Sequence, residues 1–125
     1  MRKEDVDTFL RTNSQLKVMH REISELSKKK PHDQINKFKL GFINGILKDS
    51  NKLLKDYKPF DDFEIFDEDE LPSNSDVTIM LSQYLNSLER LRCDNIVNSG
   101  ASYYWVIDKK MSDFETTRPS LDFKK

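Results

Sequence analysis

The fold is decided by residues 33–57, which read DQINKFKLGFINGILKDSNKLLKDY. Apolar side chains recur here in steps of three and four, the spacing that places them along one stripe of an α-helix. The stripe consists of Ile35, Phe38, Phe42, Ile43, Ile46, Leu47, Leu53, Leu54 and Tyr57. Asp33 is the candidate N-cap, because its carboxylate can accept hydrogen bonds from the free amides of the first turn. The pattern predicts a long helix over residues 33–57.

Two glycines, Gly41 and Gly45, lie four residues apart within this predicted helix. Each glycine destabilises a helix by about 1 kcal/mol relative to alanine. Two interpretations remain open. Either the pair lets another helix approach closely, or it lies on an exposed side where glycine is tolerated.

A second helix is predicted over residues 3–29. Its apolar positions include Phe9, Leu16 and Ile23, which are seven residues apart and form a seam typical of coiled coils. Pro31 ends this helix, since proline disfavours helical backbone at the residue before it. The connection at Pro31 is short, which favours an antiparallel hairpin of the first two helices.

The remaining pattern predicts one more helix and a pair of short strands. Apolar residues in steps of three and four indicate a helix over 74–95, and Ser73 begins a capping-box sequence before it. A turn signal at 98–100 separates residues 96–97 from 102–107, a run of β-branched and aromatic residues typical of a strand. The predicted fold is therefore mostly α: a three-helix bundle built on a long antiparallel helical hairpin, with a short C-terminal β-hairpin.

The domain organisation follows from length and composition. The chain has 125 residues, of which 36% are hydrophobic and 34% charged, with only three glycines and four prolines. This length suits one domain, and few chain breakers favour long helices. We expect one helical domain over residues 1–108, with residues 58–75 as an inserted acidic loop. Residues 109–125 are expected to form a tail or docking arm.

Residues 58–75, KPFDDFEIFDEDELPSNS, are called the acidic segment below. Seven of their side chains are carboxylates, and Phe60, Phe63 and Phe66 are spaced by three. A purely acidic loop would be disordered, but three phenylalanines are costly to leave in water. The segment is therefore expected to lie ordered against the helices, with its acidic side chains outward.

The charge and cysteine content point to a cytoplasmic protein. Residues 1–58 carry a net charge of +6, whereas residues 59–125 carry −7. Such polarity indicates either attraction between the two halves or a partner of opposite sign. The single cysteine, Cys93, fits a reducing compartment. The N-terminus has no apolar leader and no stretch is long enough to cross a bilayer, so we expect no membrane contact.

The motifs of common chemistries are missing from the sequence. Cys93, His20 and His32 are the only candidates for nucleophilic or metal chemistry, and none has a partner at the required spacing. The acidic segment lacks the glycine and the bidentate glutamate of a calcium-binding loop. No glycines fit a phosphate-binding loop. The sequence therefore predicts a protein that is not an enzyme and that binds no cofactor or metal.

The favoured function is protein–protein interaction, as a small subunit, adaptor or inhibitor of a larger protein. Small proteins of this kind are common in bacterial and phage conflict systems. The partner is another protein, or the chain itself as a homo-oligomer. The candidate contact residues lie in the acidic segment and in the aromatic strand: Phe60, Phe63, Phe66, Asp67, Asp69, Tyr103, Tyr104 and Trp105. For that strand the alternative is that Tyr103 and Trp105 face the protein's own helices while Tyr104 faces outward.

Nucleic-acid binding is the alternative function. Basic residues cluster at the turn between the first two predicted helices and along the far end of the second, at Lys28, Lys29, Lys30, Lys48, Lys52 and Lys55. Such a surface can bind a phosphate backbone by releasing counterions. The slightly acidic chain as a whole, with a net charge of −1, makes this the less favoured partner.

Overall fold

The computed structural model describes residues 1–120 and is mostly helical, with a three-stranded antiparallel sheet at the C-terminal end. In chain order the elements are α1 (Lys3–Lys29), α2 (Lys37–Leu54), a 3₁₀ turn (Lys55–Tyr57), α3 (Asn74–Cys93), β1 (Ile96–Ser99), β2 (Ser102–Ile107) and β3 (Lys110–Thr116). Of the helices described, none combines the length and apolarity needed to cross a lipid bilayer.

Helix α1 has the predicted bounds and buries the predicted seam. Phe9, Leu16 and Ile23 are all within its buried face. Thr12 lies in the same face and is fully buried. Its hydroxyl donates a hydrogen bond to the carbonyl oxygen of Thr8 at 2.9 Å. The hydroxyl is therefore satisfied within the helix, and the seam continues through this polar position.

Helix α2 begins later than predicted, and the proposed N-cap Asp33 is wrong. The N-cap is Asn36, whose side chain accepts a hydrogen bond from the Lys39 amide at 3.1 Å. The preceding residues instead pair with the segment before α3: the Ile35 amide donates to the Pro72 carbonyl at 2.9 Å. This long-range pairing, which buries Ile35, outcompetes an extra helical turn.

The hydrophobic core draws on all three helices and on the sheet. Its buried members are Val6, Phe9, Leu16, Ile23, Ile35, Leu40, Ile43, Ile46, Leu47, Leu54, Val77, Leu81, Tyr84, Leu88, Leu91 and Trp105. Trp105 is the largest of them and comes from β2. The sheet is therefore fixed to the helices through a shared core.

The acidic segment is ordered, as expected, and Asn44 of α2 holds it in place. The Asn44 amide nitrogen donates to the Phe66 carbonyl and its amide oxygen accepts from the Phe66 amide, both at 3.0 Å. The Phe63 ring packs edge-on against Phe66 and Tyr84. All seven carboxylates between residues 61 and 70 are exposed. Phe63, Ile65, Phe66 and Leu71 of this segment thus pack against the core, whereas its acidic side chains face outward.

Replacing Asn44 with alanine should destabilise the fold by about 1–3 kcal/mol, because the Phe66 amide and carbonyl lose their partner. Asn86, an exposed asparagine on α3, supplies the matched control, and Asn86→Ala should cost less than about 0.5 kcal/mol. Urea unfolding measures both, and hydrogen exchange should accelerate at the Phe66 amide. Equal stabilities for the two variants would contradict the anchoring role of Asn44.

The sheet has three strands in the order β1-β2-β3, where the sequence predicted a two-stranded hairpin. The missed strand, β3, lies within residues 109–125, the segment expected to be a tail or docking arm. It pairs antiparallel with β2, for example at Val106 and Met111. Pairing with β2 stabilises a sequence that alternates too weakly to mark itself as a strand. Residues 121–125 lie outside the described part of the chain.

The two turns of the sheet differ in how well their residues suit them. Gly100 takes a φ of 65° in the β1–β2 turn, which glycine adopts without strain. In the β2–β3 turn Asp108 and Lys109 take φ values of 51° and 67°. This left-handed pair matches a type I′ turn, whose second position prefers glycine.

Replacing Lys109 with glycine should stabilise the protein by about 1 kcal/mol, since the side chain that disfavours positive φ is removed. Gly100→Ala should shift stability the other way by a similar amount. Thermal unfolding of the two variants beside the wild type measures both signs. A destabilised Lys109→Gly variant would show that the side chain of Lys109 is needed in the turn.

Candidate functional site

The outer face of α2 forms an open groove, here called the α2 groove. Its lining residues come from α2, from α1 and from the acidic segment: Arg11, Gln15, Lys37, Phe38, Gly41, Phe42, Gly45, Ile46, Asp49 and Glu68. The face lies opposite the side of α2 that enters the core, so another molecule can reach it.

Two phenylalanines form the apolar part of the α2 groove. Phe38 is 75% exposed and Phe42 is 59% exposed, and their rings pack edge-on with centroids 5.6 Å apart. Exposed apolar side chains are ordinary when scattered singly, whereas these two rings adjoin and form one continuous apolar patch. The α2 groove therefore offers an apolar surface that the described chain does not cover.

Phe38 and Phe42 belong to the apolar stripe predicted for this helix, but both rings point outward in the structure. Each lies two residues from Leu40, which is fully buried. Two residues correspond to about 200° around a helix, so both rings point away from the core. A helical projection centred on Leu40 was the signal that could have identified them.

Gly41 and Gly45 flatten the floor of the α2 groove. A Cβ atom at Gly45 would meet nothing within 4 Å, and one at Gly41 would meet a Glu68 carboxylate oxygen at 3.7 Å, an ordinary contact. Neither glycine is therefore required by packing within the described chain. Both interpretations of the glycine pair, close approach of another helix and tolerance on an exposed side, agree with this open position. The backbone at the two glycines is accessible to another chain.

Charged groups stand at both ends of the α2 groove. At the end near the α2 C-terminus, an Arg11 guanidinium nitrogen lies 3.4 Å from an Asp49 carboxylate oxygen, and both side chains are about half exposed. At the other end Lys37 is exposed and makes no ion pair within residues 1–120. The groove thus has a cation at its N-terminal end, an ion pair at its C-terminal end and the two phenylalanine rings between them.

The predicted contact residues of the acidic segment divide into two groups. Phe60 is 43% exposed, and Asp67 and Asp69 are exposed as well. Phe63 and Phe66 are partly buried and pack against the core. The spacing of three does not indicate on which side of the segment each ring lies.

The predicted contact residues of β2 do not form one surface. Trp105 is fully buried, and its ring packs edge-on against Phe9 of α1 with centroids 5.1 Å apart. Its place in the core excludes it from a surface contact in the folded protein. Tyr103 and Tyr104 are half-buried. Since neighbouring strand residues point to opposite faces, Tyr104 lies on the face away from Trp105.

The candidate nucleic-acid residues lie on two separate helix ends. Lys28, Lys29 and Lys30 are exposed at the end of α1, where Lys28 pairs with Glu25 at 3.0 Å. Lys48, Lys52 and Lys55 are exposed along the end of α2 and beyond it. The structure thus leaves these lysines accessible.

A buried polar cluster near the end of α3 joins the helix to the chain after β3. Arg92 donates to both carboxylate oxygens of Glu89, at 2.7 and 2.8 Å, and to the carbonyls of Thr117 and Arg118. Burial raises the pKa of the neighbouring Cys93 thiol, which disfavours its reactive thiolate form. The hydrogen bonds of Arg92 hold the residues after β3 against the end of α3.

Metal binding has no candidate group in the described part of the chain. Within residues 1–120, no three His, Cys, Asp or Glu side chains lie close enough to hold a metal ion.

Family models, curated proteins and solved structures were each compared with this chain, and none of them matches it.

Proposed function

We propose that this chain is a non-catalytic binding protein, and that its α2 groove receives a helix of another polypeptide chain. One observation carries the proposal: Phe38 and Phe42 are bare and in mutual contact, although the core cluster takes in most other large apolar side chains. Aromatic side chains are enriched among the residues that dominate protein–protein binding.

The shape of the α2 groove suits a helix. It extends from Lys37 to Asp49, a rise of about 18 Å along α2, or more than three helical turns. The bare backbone at Gly41 and Gly45 lets a second helix axis approach more closely than larger side chains would permit.

The proposal includes a three-helix bundle in which α1 and α2 are antiparallel. Two ion pairs between the helices support this direction. Arg11 pairs with Asp49, and Glu22, later in α1, pairs with Lys39, earlier in α2, at 3.1 Å. The antiparallel hairpin places Arg11 and Gln15 beside the outer face of α2, where they complete the groove.

Binding through the α2 groove is tested with two serine variants of equal starting exposure. Phe42 and Ile79, which lies on α3, are both 59% exposed, so Phe42→Ser and Ile79→Ser remove similar apolar surface at different places. Neither should change the stability by more than about 0.5 kcal/mol. Circular dichroism during urea unfolding checks this.

The tagged wild type and both variants are then immobilised and exposed to the source organism's extract and to untagged copies of the chain. Chains retained by the wild type and by Ile79→Ser should be lost from Phe42→Ser. If Phe42→Ser retains everything that the wild type retains, the α2 groove is not the binding surface and the proposal fails.

Nucleic-acid binding is the second candidate function, supported by the exposure of Lys48, Lys52 and Lys55. The exposed Glu68 carboxylate beside Gly41 reduces the positive potential of the same helix. Gel shifts with duplex DNA and RNA at low salt test it. Binding that falls steeply with salt and is lost when the three lysines become glutamate would support it.

A cytoplasmic location forms part of the proposal. Cys93 is buried and free, which a reducing compartment favours.

A further inference from the structure

We infer that the chain in the α2 groove is a second copy of this protein, with the two α2 helices antiparallel about a two-fold axis. This inference rests on the proposed function, because it names the partner of the same groove. It predicts a symmetric homodimer whose two-fold axis passes near the middle of α2, between Phe42 and Gly45.

The shape of the α2 groove is complementary to itself when reversed. Its bulky side chains, Phe38 and Phe42, lie in the half of the groove that begins at Lys37, and the exposed backbone of Gly45 lies in the half that ends at Asp49. An antiparallel copy places the Phe42 ring of each protomer over Gly45 of its partner. A two-fold axis repeats this contact, so one complementary pair of positions is used twice.

The charges are complementary in the same orientation. Reversal brings Lys37 and Phe38 of one protomer to the end of the groove where its partner carries Arg11 and Asp49. The free ammonium of Lys37 gains a carboxylate, and the exposed Phe38 ring gains a guanidinium, a favourable cation–π contact. A parallel copy would instead place Lys37 beside Lys37 and Asp49 beside Asp49.

The size of the contact predicts its strength. An interface built mainly on one helix lies at the small end of specific interfaces, so the dimer should dissociate in the micromolar range. Sedimentation velocity over low to high micromolar concentrations should show a concentration-dependent monomer–dimer equilibrium. In a symmetric dimer, Phe42→Ser removes the contact between position 42 and Gly45 at both of its copies. The dimer Kd should therefore rise at least thirtyfold, which corresponds to about 2 kcal/mol of binding free energy. Ile79→Ser should leave Kd unchanged.

A pair of reciprocal size variants tests the predicted partner directly. Gly45→Phe places a ring where the partner's Phe42 must lie, and Phe42→Ala leaves a hole there. Neither variant alone should dimerise as the wild type does. Mixed together they should form a heterodimer, because the single ring at position 45 then meets the alanine at position 42 of the other chain, and the remaining Phe42 meets the other chain's Gly45.

The direction of the helices is tested with a spin label at Lys52, which is exposed near the end of α2. In the antiparallel dimer the two labels are separated by about 25 Å along the helix axes, whereas parallel pairing leaves only the interaxial distance of about 10 Å. Pulsed electron paramagnetic resonance, with the spin label at position 52 as the only change to the chain, distinguishes these two distances.

The outcomes separate this inference from the proposed function. A heterodimer of Gly45→Phe and Phe42→Ala, with the longer label distance, supports the antiparallel copy. A wild type that stays monomeric at high micromolar concentration overturns the inference that the partner is a second copy. A dimer with the shorter label distance overturns its antiparallel orientation. If the monomeric wild type still retains a protein from the extract through Phe42, the proposed function survives with a different partner.

Discussion

Replacing Trp105 with alanine should destabilise the protein by about 3–5 kcal/mol, the range for removing a large aromatic side chain from a core. Trp105 is fully buried and packs against Phe9, so its loss leaves a cavity between β2 and α1. Domains of this size are stable by about 5–15 kcal/mol, so the variant should lose a large share of its free energy of unfolding. Urea unfolding followed by circular dichroism measures the loss.

Two control variants separate the cavity from other effects of the substitution. Tyr104→Ala removes a half-buried aromatic residue from the same strand and should cost much less. Trp105→Phe keeps most of the ring and also removes an indole N–H that has no acceptor among the described residues, so it should be milder than alanine. A Trp105→Ala variant no less stable than Tyr104→Ala would mean that the sheet is not held by this side chain.

Replacing Arg92 with methionine should destabilise the protein by about 3–5 kcal/mol, since it leaves the Glu89 carboxylate without its buried partner. Arg92 is 6% exposed and also donates to the carbonyls of Thr117 and Arg118, at 2.7 and 2.9 Å. The variant should thus release the chain after β3, which proteolysis near residue 118 detects. Arg118→Met, at an exposed position, is the matched control and should cost less than about 0.5 kcal/mol.

The Glu89–Arg92 pair also predicts that the stability of the protein depends on pH. Burial acts to raise the pKa of Glu89, but the hydrogen bonds and the charge of Arg92 outweigh it and hold that pKa below the ordinary value. A lowered folded pKa stabilises the protein fully above the unfolded value of about 4.3, and this stabilisation is lost as the pH falls further. Glu89→Gln should flatten the acid limb of the stability curve. An unchanged acid limb in that variant would contradict the role of Glu89.

The helices were predictable because their apolar periodicity is strong and local. The bounds of α1 agree with the prediction, whereas the start of α2 does not. The hydrogen bond from the Ile35 amide to the Pro72 carbonyl decides that boundary, and it joins residues far apart in sequence. Local capping preferences carry no information about such a partner.

The third strand and the groove were missed for different physical reasons. Residues 110–116 contain only Met111 and Phe114 as apolar side chains, and their strand exists because β2 offers it a free edge. Phe38 and Phe42 were assigned to an apolar stripe although the stripe is wider than one buried face can be. Which aromatic rings of a wide stripe remain outside depends on how the other helices pack, and periodicity does not contain that information.

The two glycines of α2 weaken the helix, and the proposed association would account for their presence. Each costs about 1 kcal/mol of helix stability relative to alanine, and the space around Gly45 would accept a methyl group without any rearrangement. Natural sequences retain such costs where activity opposes stability. A library of variants at position 45 that is selected for folding alone should lose the glycine, and the same library selected for chain association should keep it.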